Sequence, residues 1–247
     1  MPVIRTHTSG HSFLTQPALA DSLWRYMDFS KFVAMLVNKG LYLSRLDKLG
    51  DAYEGWVPQS PKGYYDGFLG RKFMQRDLDL RKQSQASKLD FFISCWHANE
   101  RQSDAMWKLY SKGTEGIAIR TTSRNLQAAL TDAPEDLWLY EVMYADLEKE
   151  PIHGGSMVRA CVTKRIPFAH EKEVRVVWHN SEPPVSIRKK HELDSGFYVN
   201  CNMTTLIEQV YVAPTENPWF VPIVKDVLVR YGINAEVVQS GLSLTPP

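Results

Sequence analysis

An α+β fold, a single domain with a central mixed sheet of short strands flanked by helices, is predicted by three features of the sequence. Short apolar runs with strand-like alternation recur along the 247 residues. Between them lie three to six segments whose apolar residues fall at helical spacing. Near the end, strand, helix and strand follow one another as a short crossover unit, which places two strands parallel and is right-handed by rule.

Residues 1 to about 20 are polar and poorly patterned and read as an arm with little structure of its own, leaving 21 to 247 as one globular domain. Leu23 to Tyr26 begins the domain as a strand. Phe29 to Val37 follows as a helix, with Ser30 as N-cap, Phe32, Met35 and Leu36 on one face, and Gly40 as its stop. Leu41 to Ser44 is a second strand. Arg45 to Gly55 has the Gly and Asp content of a structured loop, in which Asp51 and Glu54 either cap turns or meet a substrate hydroxyl or a cation.

From Tyr64 to Leu89 the pattern is helical, and Arg71, Lys72, Arg76, Arg81, Lys82 and Lys88 outnumber Asp77 and Asp79. This basic segment, Arg71 to Lys88, is either a solvated face or a surface for a nucleic-acid or protein acceptor. Phe91 to Trp96 is the clearest buried strand of the first half, and His97 to Gln102 reads as a polar loop. Ser103 then caps a helix carrying Met106, Trp107 and Tyr110 that ends at Gly113. Trp96, Trp107 and Tyr110 either line a ligand site or fill the core. Gly116 to Arg120 is a strand, Thr122 or Ser123 caps a helix through Leu130, and Leu139 to Tyr144 is a strand. After a break at Lys149 to Gly155, Met157 to Lys164 reads as a helix. Ile207 to Ala213, a helix from Pro218 to Tyr231 stopped by Gly232, and Ala235 to Ser240 complete the crossover unit.

The stretch Val162 to Trp178, V-T-K-R-I-P-F-A-H-E-K-E-V-R-V-V-W, organises the candidate chemistry. Val174, Val176 and Trp178 alternate with Arg175, Val177 and His179, which reads as a strand with Glu173 at its mouth. Lys164, Arg165, His170, Glu171, Lys172 and Glu173 crowd the connection ahead of it. Such crowding either forms an ion-pair loop or holds a carboxylate ionised beside cations, ready to meet a substrate.

Net charge +1 lacks the global basic footprint of a dedicated nucleic-acid binder. Cys95, Cys161 and Cys201 lie far apart with no C-x-x-C pair, so neither a zinc ribbon nor a disulfide framework is expected, and a reducing cytoplasm fits. The first residues lack the apolar core of a secretory signal, and the longest apolar run, Phe32 to Val37, is too short to cross a bilayer. His7 and His11 have a ligand spacing only on a helix, which Ser9 and Gly10 disfavour, so no metal is expected.

Five blocks in order, L-W-R-Y, G-L-Y-L-S-R-L-D-K-L-G-D-A-Y-E-G, F-I-S-C-W, A-M-W-K-L-Y-S-K-G-T-E-G-I-A-I and T-K-R-I-P-F-A-H-E-K-E-V-R-V-V, resemble the prokaryotic domain-of-unknown-function family 2971 over roughly residues 22 to 240. That family brings no established activity. The order of a basic residue on an early strand, an aromatic in the middle and a glutamate on a late strand also resembles ADP-ribosyltransferase-like folds. This second resemblance implies NAD as cofactor, with Arg25 on its phosphate or ribose side, Tyr42 or Tyr110 on nicotinamide, and Glu173 as the catalytic carboxylate on the nicotinamide ribose. Glu54, Lys164, Arg165 and Arg175 are expected to converge there as substrate-binding groups. A family scattered through prokaryotic genomes would suit a defence or toxin-like role.

Two other classes stay open. In a metal-dependent nuclease, Asp51, Glu54 and Glu173 would hold a divalent ion beside Lys164 or Lys172. In a non-enzymatic binding module, the basic segment and the aromatic groups around Trp96 and Trp107 would carry the function.

Overall fold

The computed structural model describes residues 14–57, 75, 78–79, 82, 87–111, 115–149, 157–180, 194–214 and 217–242. In chain order the elements are β1 (Ser22–Asp28), α1 (Phe29–Asn38), β2 (Gly40–Arg45), a 3₁₀ turn at Leu46–Lys48, β3 (Phe91–Ala98), α2 (Asp104–Tyr110), β4 (Gly116–Thr122) and α3 (Ser123–Ala129). They continue with β5 (Leu137–Glu141), β6 (Met143–Ala145), α4 (Met157–Cys161), β7 (Thr163–Arg165), a 3₁₀ turn at Ile166–Glu171, and β8 (Glu173–His179). The chain closes with β9 (Gly196–Asn200), α5 (Met203–Leu206), β10 (Gln209–Val212), α6 (Phe220–Arg230) and β11 (Glu236–Gln239). The fold is α+β, as expected.

Nine strands form one sheet in the order β11-β10-β4-β1-β3-β2-β9, with β8 and then β5 added on the other side of β3. β10 and β11 pair parallel and the remaining pairs in this sheet are antiparallel, so the sheet is mixed. β6 and β7 form a separate parallel pair.

One sheet face carries the main core. Leu23, Met27, Phe92, Trp96, Val174, Val176 and Trp178 meet residues of α1, α3, α5 and α6 there. The other face is covered at two places. Near α4, Phe91, Ile93 and Val177 pack with Cys161 and Val162. Near α2, Trp24 and Tyr26 pack with Met106 and Trp107. Along β3 the side chains of Phe91, Ile93, Cys95 and His97 share this face by strand alternation, running from one cluster to the other. The space between the clusters is the candidate site.

Several boundaries differ from expectation. Ser30 is not the N-cap of α1. The helix grows directly out of β1, with Asp28 at the cap position and the Phe29 N–H bonded to Glu115 O. Nor does Gly40 stop α1: Lys39 takes the left-handed conformation, φ 45, and its N–H bonds Leu36 and Met35 carbonyls. Gly40 already lies in β2, where a Cβ would come within 2.8 Å of Val199 O, so its lack of a side chain serves the approach of β9. The strand expected from Leu139 to Tyr144 is interrupted at Val142, whose N–H bonds Glu173 O. Lys164 is not helical either. α4 ends at Cys161, and β7 pairs Lys164 with Tyr144 of β6, so tertiary pairing overrides local propensity. The basic segment Arg71 to Lys88 lies for the most part outside the described residues, and the expected stop at Gly113 lies outside them altogether. Of the expected arm, Thr15 O accepts from Glu141 N and Leu14 packs on the cluster near α4.

Candidate active site

The sheet forks at β3. β1 pairs with its C-terminal end at Trp24↔His97 and Leu23↔Ala98, whereas β2 pairs with its N-terminal end at Ser44↔Ile93 and Arg45↔Phe92. Ser94, Cys95 and Trp96 lack a ladder partner on that side. Arg25 fills the gap: its guanidinium donates to Ser94 Oγ and to the Tyr42 carbonyl at 3.3 Å, and lies 5.6 Å from the centre of the Trp96 ring. A side chain thus supplies hydrogen bonds where two diverging strands cannot. Burial draws the Arg25 guanidinium below its ordinary pKa, but an arginine stays charged in such a setting.

At the fork opens a cleft of about 670 Å³, lined by Arg25, Tyr42, Glu54, Tyr110, Lys164, Glu171 and Glu173 among others. This is the size range of small-molecule sites, roughly 300–1,000 Å³. Its floor is a buried ionic cluster of three carboxylates and two cations. Lys164 Nζ donates to Glu171 Oε2 at 2.7 Å and to Glu173 Oε1 at 2.8 Å, and lies 3.5 Å from Glu54 Oε1. Arg175 donates through Nε to Glu173 Oε2 at 2.6 Å, and through its two terminal nitrogens to both oxygens of Glu54 at 2.8 and 2.9 Å. It also reaches the Cys161 carbonyl. The Glu173 N–H donates to Tyr144 Oη at 2.8 Å.

Lys172 sets up the pair of carboxylates. It adopts a left-handed conformation, φ 41, between the end of a 3₁₀ turn and the start of β8. Its own side chain is exposed, while Glu171 and Glu173 on either side are both 5% exposed and both reach Lys164. Glu173 has each oxygen on a cation. Glu171 has one oxygen shared by Lys164 and by the Tyr110 hydroxyl at 3.1 Å.

The charge states follow from this asymmetry. Burial alone would raise Glu173, but Arg175, the carboxyl of Glu171 and Lys164 outweigh it and hold the group well below the usual carboxylate range. Burial pushes Glu171 up to about 7, helped by its hydrogen bond with Glu173 and only partly offset by Lys164. Burial alone would also lower Lys164, yet the neighbouring carboxylates keep its ammonium above its ordinary value. With all five groups ionised the cluster carries one net negative charge, and with Glu171 protonated it is neutral. The pair therefore contains one fixed carboxylate and one that exchanges a proton near neutral pH.

This arrangement has a measurable effect on stability. Glu171 binds its proton more tightly folded than unfolded, so its contribution is complete below the unfolded pKa of about 4.5 and disappears as pH rises through about 7. The change amounts to on the order of 3 kcal/mol at most. His97 and His179, depressed by burial, act in the opposite direction as they titrate. The difference in Tm between wild type and Glu171→Gln isolates the carboxyl: wild type is expected to lose stability relative to the variant between pH 5 and 8.

Of the residues singled out from sequence, Arg25, Tyr42, Tyr110, Glu54, Lys164 and Glu173 line one cleft. Arg175 does not meet it: the side chain is 0% exposed and its donors are spent on Glu54, Glu173 and Cys161 O, so it is an internal counter-ion and not a substrate ligand. Arg165 stands at the rim, paired with Asp51 at 2.9 Å and stacked 4.2 Å from the centre of the Tyr53 ring. Asp51 also caps its own turn through the Tyr53 N–H at 3.1 Å. Trp107 is a core residue, edge-on to Tyr26, and Trp96 is 1% exposed in the main core, so the two do not offer an aromatic binding surface. The carboxylates expected to hold a divalent ion are each engaged by Arg165, Arg175 or Lys164, and among the described residues no group of three or more His, Cys, Asp or Glu is disposed to hold a metal. No described helix is long and apolar enough to cross a membrane.

Two residues were not picked out as site groups. Glu171 was hidden because a left-handed lysine is not visible in sequence. The polar run after Trp96 predicts a loop at His97, but β3 extends through it, and its parity with Phe91, Ile93 and Cys95 places it on the cleft face.

The class these observations define is an α+β domain with a forked mixed sheet and an ionic cleft at the fork. No family model and no curated protein matches the chain, so the likeness to family 2971 rests on the sequence blocks alone. Two solved structures of DarT from Thermus sp. 2.9 are similar, each with a TM-score of 0.39. One, in complex with carba-NAD+, is 11% identical and the match covers 90% of this chain and 96% of that chain. The other, in complex with NAD+, is 10% identical, with 92% and 98% covered.

Proposed function

We propose that the protein is an NAD-dependent ADP-ribosyltransferase-like enzyme that binds NAD in the cleft at the fork and transfers ADP-ribose to a macromolecular acceptor. The observation that carries this reading is that Arg25 and the carboxylates Glu171 and Glu173 line the same cleft. A dinucleotide needs a cation for its pyrophosphate, ring surface for its bases and a carboxylate for the sugar that becomes electron-poor; Arg25, Tyr42 and Tyr110, and Glu173 offer these in turn.

Glu173 is the electrostatic group. When the bond between ribose C1 and the nicotinamide nitrogen breaks, its electron pair leaves with nicotinamide and positive charge grows on the ribose. A fixed carboxylate held ionised by Lys164 and Arg175 stabilises that charge without reorganising. Glu171 is the proton carrier. As the acceptor's nucleophilic atom bonds to C1 it loses a proton, and a carboxylate titrating near 7 is suited to take it.

Nicotinamide release from NAD tests the reading. Wild type is expected to release nicotinamide at a rate that rises with pH through about 7, a limb absent in Glu171→Gln. Arg25→Lys is expected to raise KM about tenfold or more, because a point charge cannot reproduce the fork of a guanidinium. No release by wild type under any condition, with or without cell extract as acceptor, would remove the assignment.

A further inference from the structure

Beside the main cleft lies an inner pocket of about 50 Å³, lined by Trp24, Tyr26, Trp96, His97, Met106 and Tyr110 together with Arg25, Cys95, Glu171 and Glu173. It has room for a group of about two or three heavy atoms, not for an aromatic ring. One buried atom on its wall is unsatisfied. His97 binds the Glu171 carbonyl through Nδ1 at 2.6 Å. A carbonyl only accepts, so Nδ1 carries the hydrogen and Nε2 is left as a bare acceptor. Nε2 is buried with no partner among the described residues, an unfavourable condition unless a ligand or water relieves it. Burial also depresses the pKa of His97, keeping the imidazole neutral.

The remaining polar groups sharpen the ligand's chemistry. Glu171 and Glu173 add acceptors, and they disfavour an anion. A group that suits this wall is small and neutral and donates a hydrogen bond to His97 Nε2, which the N–H of a primary amide does.

Resting on the NAD reading above, we infer that the inner pocket receives the carboxamide of nicotinamide, its N–H donating to His97 Nε2, while the pyridine ring stays in the larger cleft. His97 is then the residue that selects an amide over an acid at this position. A nicotinic acid dinucleotide would present a second negative charge to the carboxylate pair and no proton to His97. A 3-acetylpyridine dinucleotide, in which methyl replaces the amino group, keeps size and neutrality but lacks the donor.

Calorimetric titration of the wild type with NAD, with its 3-acetylpyridine analogue and with nicotinic acid adenine dinucleotide tests this on the ligand side, independently of whether any variant folds. NAD is expected to bind at least about tenfold more tightly than either. His97→Leu, checked by its melting curve, is expected to weaken NAD to the level of the 3-acetylpyridine analogue and leave the analogue unchanged. Equal wild-type affinities for NAD and the analogue overturn the amide site while leaving NAD binding intact, as does a tenfold ratio that survives in His97→Leu. Failure of the wild type to bind any of the three overturns the NAD reading, and the amide site with it.

Discussion

Replacing Arg175 with methionine is expected to destabilise the protein by roughly 3–5 kcal/mol, the cost of leaving buried carboxylates without their cation. Arg175 is completely enclosed and grips both oxygens of Glu54, one of Glu173 and the carbonyl of Cys161. Lys164 would be left to balance three carboxylates, and its contact with Glu54 is already long at 3.5 Å. For a chain of this size the loss corresponds to a fall in Tm of about 10 °C. The double variant Arg175→Met with Glu54→Leu is expected to recover much of this, because an apolar pair of similar volume needs no compensation. Equal melting temperatures for wild type and Arg175→Met would show that the cluster is not the buried network described.

The second large effect concerns rate. Glu173→Gln is expected to lower kcat for nicotinamide release about 10²–10³-fold while the Kd for NAD changes by no more than a few-fold, since its charge acts on the electron-poor ribose and not on the ground state. Glutamine keeps an oxygen for one cation and leaves Glu54 and Glu171 to hold the others, so the variant should remain folded, as its melting curve would report. A loss confined to KM would show that Glu173 binds substrate without stabilising the developing charge.

Much of the scaffold was legible in the sequence because it depends on local pattern. Phe91 to Trp96 and Val174 to Trp178 read as strands since their apolar side chains occupy both faces or alternate between them, and they pair along their whole length as β3 and β8. Ser103 and Thr122 were readable as caps because capping is a short-range hydrogen bond, here to Met106 N and Asn125 N. Glu173 and Lys164 attracted notice through crowding of charge. What sequence does not carry is how distant segments divide the work. Arg25 and Arg175 are both arginines on strands beside the same cleft wall, yet one fills an open fork and the other is sealed inside, and that depends on where β1 and β2 part from β3. Local pattern makes Lys164 look helical because its partner strand, β6, lies 20 residues earlier at Tyr144. Glu171 became a site group only through the left-handed turn at Lys172, a conformation that a lysine rarely adopts and that surrounding hydrogen bonds, such as Ala98 N to Lys172 O, hold in place.

A crystal structure of the wild type with a non-cleavable NAD analogue shows directly whether the cleft is the NAD site. The dinucleotide is expected in the cleft at the fork, its pyrophosphate or ribose against Arg25 and its nicotinamide ribose within hydrogen-bond distance of Glu173. Density instead in the polar groove of Arg101, Arg120 and Lys172, or an empty cleft at millimolar analogue, would contradict it.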